Sequence, residues 1–501
     1  MFRDPRDHRR RRLLGLRTRF LVGALLIALT TATAVAAVAI GAVTQIAADL
    51  GRATIHSHQL TPAHAGAPET ILVVGDDHDG PLVHGVHLLH ADTFMLVHMD
   101  PTQGQTSIMS IPRDLLVSFS WKGAEYTDQK FNTTYAVGGV GAVLKVAKRT
   151  LPGVTINHVI DFNFASFIGV VRAIGCVYID VDRRYLNLTD QSYSAINLEP
   201  GYQRLCANNA LSYVRYRHTD SDFVRVARQQ DFIRQAKEQL GTFNLITKYD
   251  QIARALGHAI HTDITGIHDV NALLQLIAYS SSRPIRHVAF QYSNAQYFIN
   301  GEEAVTSTPS LIRASVDQFL NAAPPAHAPG AAPPVARHGR RSHEHHHHHH
   351  AATPASIGLI PRSSGVADQA LALAPQLPFP LYLPTEQTVP AQPNDFHVYT
   401  VTDEQGHAHT GYRIDWQQNG VGGYYGIEGM DWTDPPLFAD PSATETIGGR
   451  TYLFIDDGSH FHDIGWRTGK ALYWVSNTLL EDLTNQQMLA IAESSKPLTL
   501  R

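Results

Sequence analysis

The chain has 501 residues, enough for roughly two or three domains. Hydrophobic residues make up 44% of it, so a sizeable core can form and global disorder is excluded. Only 17% of the residues are charged and the net charge is -5, whereas nucleic-acid-binding proteins are basic, so nucleic acid is not an expected partner. The two cysteines, Cys176 and Cys206, exclude a disulfide-dense scaffold and a cysteine-rich metal site but allow one bridge.

The N-terminus joins a basic segment to a long apolar one. Residues 1–19 contain eight arginines, and residues 20–43 carry no charge. A run of about 20 apolar residues can cross a bilayer as a helix, and arginine-rich flanks stay cytoplasmic. We therefore expect a cytoplasmic tail (1–19), a transmembrane helix (20–43) and an extracytoplasmic remainder, as in a single-pass protein of the cell membrane. The alternative is a cleaved signal peptide, because residues 34–37 (AVAA) are small.

The next part of the chain alternates between strand-like and helix-like segments. Residues 44–68 are small and polar and predict a stalk. Within residues 69–320, the predicted elements are a strand at 70–77, a hairpin of 93–100 with 106–114, a helix at 139–151, a strand at 158–164, a helix at 164–175, strands at 177–182 and 212–218, and a helix at 221–240 that ends at Gly241. Such alternation favours an α/β or α+β domain.

The C-terminal part contains a low-complexity segment followed by a second globular segment. Residues 321–377 are rich in Pro, Ala, Ser and His and predict a linker. Its histidine run (343–350) can bind metal and also resembles a purification tag, but a linker without a specific function is favoured. Residues 378–501 have short alternating runs and a final helix with Thr484 as N-cap, which predicts a small α+β domain whose role the sequence does not reveal.

Acidic and basic side chains recur at the ends of the predicted strands. In the hairpin, a turn near residues 102–103 places Asp92 opposite Arg113, with Asp114 beside them. If residues 212–218 are a strand, Arg215 and Arg217 lie on the same face of it. We expect these charged groups to meet at one open end of the sheet.

The following helix and the first loop add to this set. Asp222, Arg225 and Gln229 are spaced i, i+3 and i+7, which places them on one stripe of the helix, with Arg228 adjacent. Asp77 follows the first strand, where ligand-binding loops of α/β sheets occur. Arginines suit phosphate oxygens, and aspartates near phosphates suit Mg²⁺. The alternative is structural ion pairing on a solvated surface.

Four separated motifs resemble the LytR-CpsA-Psr family. They are ADTFMLVHMD, SIMSIPRD, KFNTTYAVGG and ALSYVRYRHTDSDFVRVARQQ, and they occur in the family's order within residues 69–320. The resemblance implies an αβα-type catalytic domain with a mixed central sheet. Family members are membrane-anchored and move glycopolymers from a polyprenyl-pyrophosphate carrier onto peptidoglycan. The C-terminal segment is not covered by the resemblance.

The resemblance also implies roles for individual residues. Asp77 and Asp92 match the family's Mg²⁺ ligands, although whether Asp76 or Asp77 is the ligand stays open. The remaining matches are to groups that bind the pyrophosphate or assist its reaction: Arg113, Lys130, Arg215, Arg217, Asp222, Arg225, Arg228 and Gln229. One position departs from the pattern, since His90 stands where the family usually has an arginine. A neutral histidine cannot bind phosphate bidentately.

The family's carrier tail lies in an apolar tunnel, for which the chain offers a set of apolar side chains after His158. They are Phe162, Phe164, Phe167, Ile168 and Val171. An ordinary hydrophobic core is the alternative interpretation of this set.

The two cysteines are expected to pair. Cys176 precedes a predicted strand and Cys206 precedes the ALSYVRYR segment, and an exported location permits oxidation. Two buried thiols are the alternative.

The sequence thus predicts a Mg²⁺-dependent phosphotransferase that acts on a polyprenyl-pyrophosphate-linked glycopolymer and on peptidoglycan at the membrane. Asp114 is a weak candidate for a general base. One alternative function is a non-catalytic protein that binds the wall polymer or the lipid carrier. Another is a pyrophosphatase in which water replaces the sugar acceptor.

Overall fold

A computed structural model describes residues 55–64, 66–76, 91–188, 195–217, 219–257, 260–264, 285–299, 301–321, 354–389, 391–418, 423–457 and 459–498, with isolated positions between 265 and 284. The predicted cytoplasmic tail, the predicted transmembrane helix, Asp77 and His90 lie outside these residues. Within the described ranges, no helix is long and apolar enough to span a bilayer.

The N-terminal unit (55–321) contains fourteen strands and five helices among its described residues. Its strands are β1 (Glu69–Asp76), β2 (Ala91–Asp100), β3 (Gln105–Ser110), β4 (Leu116–Trp121), β5 (Ala124–Lys130), β6 (His158–Phe162), β7 (Val177–Val181), β8 (Tyr185–Asn187), β9 (Ile196–Leu198), β10 (Gly201–Leu205), β11 (Ile260–Thr262), β12 (Ile285–Val288), β13 (Asn294–Ile299) and β14 (Glu302–Thr306). Its helices are α1 (Thr133–Thr150), α2 (Phe164–Ile174), α3 (Ala207–Arg215), α4 (Asp222–Gly257) and α5 (Pro309–Leu320).

A mixed six-stranded sheet forms the centre of this unit, in the order β11-β6-β1-β2-β3-β12. Strand β1 pairs in parallel with β6 and antiparallel with β2, and β12 pairs in parallel with β3. Side chains alternate between the two faces of a strand, so Leu72 and Val74 pack with Leu144 of α1 on one face. Val73 points to the opposite face. The predicted mixed α/β fold is therefore confirmed for this unit.

The local predictions hold for most elements, because their apolar residues follow the period of the element. The hairpin forms from β2 and β3, and α2 ends at Gly175, whose φ of 94° lies in the left-handed region that favours glycine. The side chains predicted for one face of α1, such as Val143 and Ala147, are buried.

Two predicted segments have different conformations. Residues 212–218 are not a strand: α3 continues to Arg215, because Ala210, Tyr213 and Val214 recur at helical spacing and are buried. Helix α4 does not end at Gly241 but reaches Gly257. A glycine inside a helix costs only about 1 kcal/mol relative to alanine, so it does not by itself end one.

The end of the predicted stalk and the end of the predicted linker also differ in the structure. Part of the predicted stalk packs on the N-terminal unit, since Ile55 and Leu60 contact its core and the Ile55 amide donates to the Thr262 carbonyl at 2.8 Å. The predicted linker ends earlier than residue 377, because Leu359 and Val366 are buried in the core of the second unit. The Pro/Ala/Ser-rich composition there conceals an apolar helical period.

The C-terminal unit (354–498) is the predicted α+β domain. Its described strands are β15 (Leu359–Pro361), β16 (Tyr382–Leu383), β17 (Glu386–Thr388), β18 (Gln392–Thr402), β19 (Ala408–Gln417), β20 (Tyr424–Met430), β21 (Ala443–Ile447), β22 (Arg450–Asp456), β23 (Phe461–Thr468), β24 (Ala471–Ser476) and β25 (Lys496–Pro497), and its helices are α6 (Ser364–Leu371) and α7 (Asn485–Ser494). Seven antiparallel strands form one sheet in the order β18-β19-β20-β24-β23-β22-β21. Thr484 caps α7, as predicted, in a capping box with Gln487.

The two units share a buried interface. Tyr178 and Tyr202 of the N-terminal unit join a hydrophobic cluster with Tyr399 and Trp474 of the C-terminal unit. A Cβ atom at Gly201, whose φ is 106°, would lie 2.4 Å from the Tyr399 ring, so the close approach requires a glycine there. The interface positions β7 and β10 beside the second sheet.

Candidate active site

A cavity of about 320 Å³ lies between the central sheet and helices α2, α3 and α4. Its polar lining comes from Asp76, Asp92, Thr93, Arg113, Arg215, Arg217, Arg225 and Gln229. Its apolar lining comes from Val73, Met95, Phe162, Phe164, Phe167, Leu211, Val214, Phe232 and Ile233. The volume lies at the lower end of the range for small-molecule sites, about 300–1,000 Å³.

The alternation of side chains along β1 and β2 explains why one cavity has both a charged and an apolar part. Val73 and Met95 are paired neighbours in the interior of β1 and β2 and face the cavity. Asp92 lies near the beginning of β2 and Asp76 at the end of β1, so both carboxyl groups are at the same end of the sheet. The cavity therefore has a charged end and an apolar body.

Asp92 and Arg113 meet across the hairpin as predicted. The Arg113 Nη1 group donates to Asp92 Oδ1, and its Nε donates to Asp114 Oδ2 at 3.3 Å. Burial alone would raise the pKa of Asp92, but Arg113 and Arg225 outweigh it and lower that pKa. Because the Asp92 side chain is 47% exposed, its second oxygen remains accessible from the cavity.

Helix α4 contributes the predicted stripe at its first turns. Arg225 is 3% exposed, donates to Asp222 and to the Asp92 carbonyl (3.2 Å), and lies 3.9 Å from Asp92 Oδ2. Gln229 donates to the Val214 carbonyl at 3.2 Å, which fixes its side chain against α3. Burial raises the pKa of Asp222 in spite of Arg225 and Arg113.

Arg215 and Arg217 both line the cavity, although no strand places them there. Arg215 ends α3, and its guanidinium lies 3.8 Å from the centre of the Phe164 ring. Arg217 lies in the loop after α3, is 27% exposed and lies 3.7 Å from Asp114 Oδ2. Arg217 thus has a weak ion pair and an accessible guanidinium.

Lys130 and Asp114 lie next to the cavity without lining it. Lys130 Nζ is 3.3 Å from Asp114 Oδ1 and 2.9 Å from Glu302 Oε2. Asp114 is thus a shared ion-pair partner of Lys130, Arg113 and Arg217. This arrangement matches the salt-bridge alternative for Asp114 rather than a free base.

A buried group that the sequence did not predict is formed by Asp76, Asp161 and Tyr135. The Tyr135 hydroxyl donates to Asp76 Oδ2 at 2.7 Å and lies 3.0 Å from Asp161 Oδ2. Burial and the neighbouring Asp76 carboxyl raise the pKa of Asp161 to about 8. The signal in the sequence was an acidic residue inside the apolar strand β6, which lies beside β1.

Three predicted binding residues are placed elsewhere. Arg228 is fully buried and donates to Asp220 and to the Tyr216 carbonyl (2.8 Å), so its guanidinium is occupied by the protein. Val171 is 1% exposed within the core of the helical layer. Ile168 does not line the cavity, whereas Phe162, Phe164 and Phe167 do.

The described donors suit Mg²⁺ in chemical type. Mg²⁺ usually takes one or two carboxylates and completes its shell with water and phosphate oxygens. Asp92 supplies one accessible carboxylate at the charged end, and Asp76 lines the same cavity. The expected second ligand, Asp77, follows Asp76 directly but is outside the described residues.

Comparison with known proteins identifies the chain. The model of the LytR_cpsA_psr family matches residues 37–312, which is more than half of the chain. The chain belongs to the LytR-CpsA-Psr family. The four motifs of the sequence and the charged end of the cavity all lie within the matched region.

Curated relatives are 25–29% identical to this LytR-CpsA-Psr protein over aligned parts of 200 to 229 residues. TagU of Bacillus cereus, a polyisoprenyl-teichoic acid–peptidoglycan teichoic acid transferase, is 29% identical over 200 residues, which cover 40% of this chain and 61% of that protein. TagT of Bacillus subtilis, which has the same activity in its name, is 25% identical over 229 residues, covering 45% and 69%. An uncharacterized protein of Staphylococcus aureus is 28% identical over 212 residues, covering 42% and 51%. The chain thus spans about half to three-fifths of the Staphylococcus and Bacillus cereus relatives.

Solved structures of similar proteins cover about half of the chain. The crystal structure of Bacillus subtilis TagV has a TM-score of 0.43 at 23% identity and covers 52% of this chain and 100% of that chain. A structure of TagT bound to LIIa-WTA has a TM-score of 0.40 at 19% identity and covers 53% and 96%.

Proposed function

We propose that this LytR-CpsA-Psr protein is a phosphotransferase that moves a glycopolymer from a polyprenyl-pyrophosphate carrier onto peptidoglycan. The observation that carries the proposal is the two-part cavity, which combines an arginine-rich end with a body lined by phenylalanines. A prenyl pyrophosphate has the same division into a charged head and an apolar tail. The named activity of TagU and TagT supports this substrate class.

The charged end would hold the pyrophosphate. Its lining includes Arg113, Arg215 and Arg217. Arg225 lies 3.9 Å from Asp92 Oδ2 and stabilises the negative charge of that carboxylate. Guanidinium groups bind phosphate oxygens bidentately, and fixed positive charge stabilises the charge that develops in phosphoryl transfer. Arg217 makes only a 3.7 Å ion pair within the protein. We therefore expect its guanidinium to contribute most to stabilisation of the transition state.

The apolar body would hold the beginning of the prenyl chain. Phe162, Phe164 and Phe167 lie on one side, from the end of β6 and from α2, while Phe232 lies on α4. Burial of apolar surface stabilises such a complex by roughly 25 cal/mol per Å². The stacking of Arg215 on Phe164 places the boundary between the two parts of the cavity at the start of α2.

We further propose that Mg²⁺ is the cofactor and that Asp92 and Asp77 hold it. The ion would supply neutralisation of the pyrophosphate charge. Asp92 keeps 47% of its side chain exposed at the charged end, which leaves an oxygen available to an ion.

The proposed reaction breaks one phosphoanhydride bond. A peptidoglycan hydroxyl attacks the phosphorus nearest the sugar, a new P–O bond joins the glycopolymer phosphate to the acceptor, and polyprenyl phosphate leaves with the bridging oxygen. The hydroxyl proton passes to solvent or to the departing phosphate. The arginines of the cavity hold the negative charge in place during the transfer.

The proposed location is the outer face of the cell membrane, with the N-terminus in the cytoplasm. The support is the arginine-rich tail (1–19) and the uncharged segment 20–43. Protease added to intact protoplasts should digest the chain after residue 44 and leave only the short N-terminal part. Protection of the whole chain would contradict this location.

The test of the activity is the release of polyprenyl phosphate from a prenyl-pyrophosphate-linked glycan, with and without peptidoglycan. A transferase releases it only with the acceptor, and Mg²⁺ alone restores the release after chelation. Equal release without peptidoglycan would identify a pyrophosphatase. Binding of the carrier without any release would identify a non-catalytic binding protein.

A further inference from the structure

A small polar cavity lies in the interface between the two units, away from the candidate active site. Its volume is about 40 Å³. His287 of β12 approaches it from the N-terminal unit, and His462 of β23 and Glu481, which precedes α7, approach it from the C-terminal unit. One side of the cavity thus belongs to the edge strand of the catalytic sheet.

These three side chains present metal-binding atoms to one point. One donor atom from each of them lies within 4.8 Å of the other two. His462 Nδ1 is 3.4 Å from Glu481 Oε1, and two ligands of one tetrahedral Zn²⁺ ion, each about 2.0–2.1 Å from it, lie about 3.4 Å apart. The rings of His287 and His462 have centres 5.8 Å apart.

Unpartnered nitrogen atoms provide an independent observation. Nε2 of His287 and Nε2 of His462 are buried, and neither has a hydrogen-bond partner among the residues that the structure describes. His462 is only 8% exposed, and Ser476 Oγ on the same cavity also lacks a partner in the described ranges. Buried polar atoms are rarely left unsatisfied, so the unpartnered nitrogen of His287 indicates a missing ion. His462 faces Glu481 with Nδ1, so its unpartnered Nε2 and Ser476 Oγ indicate water beside the ion.

The surroundings orient the ligands and balance the charge. Glu481 Oε2 is 3.0 Å from His460 Nδ1, so an outer histidine holds one carboxylate oxygen while the other faces the cavity. Arg234 is a cation of the same cavity, but its guanidinium is paired with Asp231 and Glu238.

We propose that His287, His462 and Glu481 bind one transition-metal ion, most suitably Zn²⁺, that fastens the C-terminal unit to strand β12. Two imidazoles and one carboxylate are a ligand set typical of Zn²⁺, with water in the fourth position. The cavity has room for an ion and a water, since one water needs about 10–15 Å³ of such space. The site joins residues of both units, so the ion acts as a cross-link between them.

The test must separate this site from the histidine run of the linker. The full chain is prepared with His343 and the histidines at 345–350 replaced by serine, stripped with a chelator and then dialysed against Zn²⁺. We expect one equivalent of Zn²⁺ per chain and a higher Tm than in the stripped protein, because binding to the native state alone stabilises it. Bound Co²⁺ should give the visible absorption of a four-coordinate site with nitrogen ligands.

Variants in this background assign the ligands. His462→Gln and His287→Gln should each lower the Zn²⁺ affinity at least about 100-fold, because loss of a residue that only orients a metal ligand already lowers it about 10- to 100-fold. His407→Gln is the matched control, since that side chain is 74% exposed and does not line the cavity, and it should keep the full equivalent of Zn²⁺.

Two outcomes would overturn the proposal. One is a serine-substituted chain that binds no Zn²⁺ and shows no shift of Tm, which would mean that water alone occupies the cavity. The other is His462→Gln and His287→Gln proteins that bind as tightly as the control. If a variant fails to fold, the stoichiometry and the Co²⁺ spectrum of the serine-substituted chain still decide the question.

Discussion

Arg413 of the C-terminal unit donates a hydrogen bond of 2.6 Å to Asp180 of the N-terminal unit, and the Arg413 side chain is fully buried. Trp474 Nε1 donates to the other oxygen of Asp180 at 3.1 Å, and Arg413 also binds Asp415 and Glu428. A buried carboxylate and guanidinium therefore join the two units. The connection between the two units is therefore unlike a flexible linker between independent domains.

Removal of Asp180 should destabilise the protein strongly. In Asp180→Ala, Arg413 keeps Asp415 and Glu428 but loses its partner across the interface, and Trp474 Nε1 loses its acceptor. A buried donor left unsatisfied costs about 1–3 kcal/mol. Asp434→Ala is the control, because Asp434 is 79% exposed and its pair with Arg467 is a surface salt bridge worth about 0–1 kcal/mol. Urea unfolding measures the free energy of unfolding of both variants. Equal stabilities of the two variants would mean that the buried pair does not hold the units together.

Arg217→Ala should lower turnover more than stability. Arg217 has only a 3.7 Å contact with Asp114, so its loss leaves the fold nearly intact. A lost charged hydrogen bond of roughly 2–3 kcal/mol slows the release of polyprenyl phosphate about 30- to 150-fold. Arg184→Ala, at an exposed arginine outside the cavity lining, should retain both activity and Tm. Full activity of Arg217→Ala would show that the arginine cluster is only structural.

His90→Arg should hold or raise the activity. A neutral histidine cannot bind phosphate bidentately, whereas arginine can, and arginine is the residue that the family usually has at this position. The measurement is the rate of polyprenyl phosphate release at fixed Mg²⁺. A clear decrease of this rate would place the side chain at position 90 outside the pyrophosphate site.

Asp161→Asn should stabilise the protein at alkaline pH. The folded state raises the pKa of Asp161 to about 8, above the usual value of 3.8, so the folded chain holds a proton that the unfolded chain releases. The contribution of the protonated Asp161 to the free energy of unfolding is present below about pH 4 and is lost as the pH rises toward 8. Asp161→Asn removes this loss and should raise Tm by a few degrees at pH 8, with a smaller effect at pH 5. A larger gain at pH 5 than at pH 8 would contradict the raised pKa of Asp161.

The Cys176–Cys206 bridge should be detectable by thiol titration. The structure joins the two cysteines, with their Cα atoms 4.5 Å apart and 30 positions apart in sequence. The denatured, unreduced protein should react with no thiol reagent, and reduction should expose both thiols. In the chain-entropy model a loop of this length contributes roughly 3 kcal/mol, so Cys176→Ser with Cys206→Ser should lower Tm. Two free thiols before reduction would exclude the bridge.

The hairpin illustrates what local sequence can establish. Alternating apolar residues on either side of a turn fix the register of β2 and β3, and the register alone brings Asp92 and Arg113 together. Helix α4 likewise places Asp222 and Arg225 on one stripe because its period is fixed. These relationships depend on neighbours in sequence, so the printed chain is enough to predict them.

Arg215, Arg217 and Arg228 illustrate what local sequence leaves open. The alternation around Arg215 and Arg217 suggested a strand, but burial of Tyr213 and Val214 against other helices selects a helix that ends at Arg215. Arg228 has the same charge as Arg225 and lies nearly one turn further along α4. Its guanidinium is nevertheless buried, because it donates hydrogen bonds to Asp220 and to the neighbouring carbonyl groups.

The sequence by itself therefore determined the α/β class, the family motifs and the meeting of acidic and basic groups at one end of a sheet. Only the tertiary structure decided which phenylalanines line the cavity, that burial beside Asp76 raises the pKa of Asp161, and that Arg413 and Asp180 join the two units. The physical reason is that strand and helix periods arise from interactions a few residues apart. The choice between core, cavity and interface depends on contacts between segments up to hundreds of residues apart, and so does the loss of solvent that shifts a pKa.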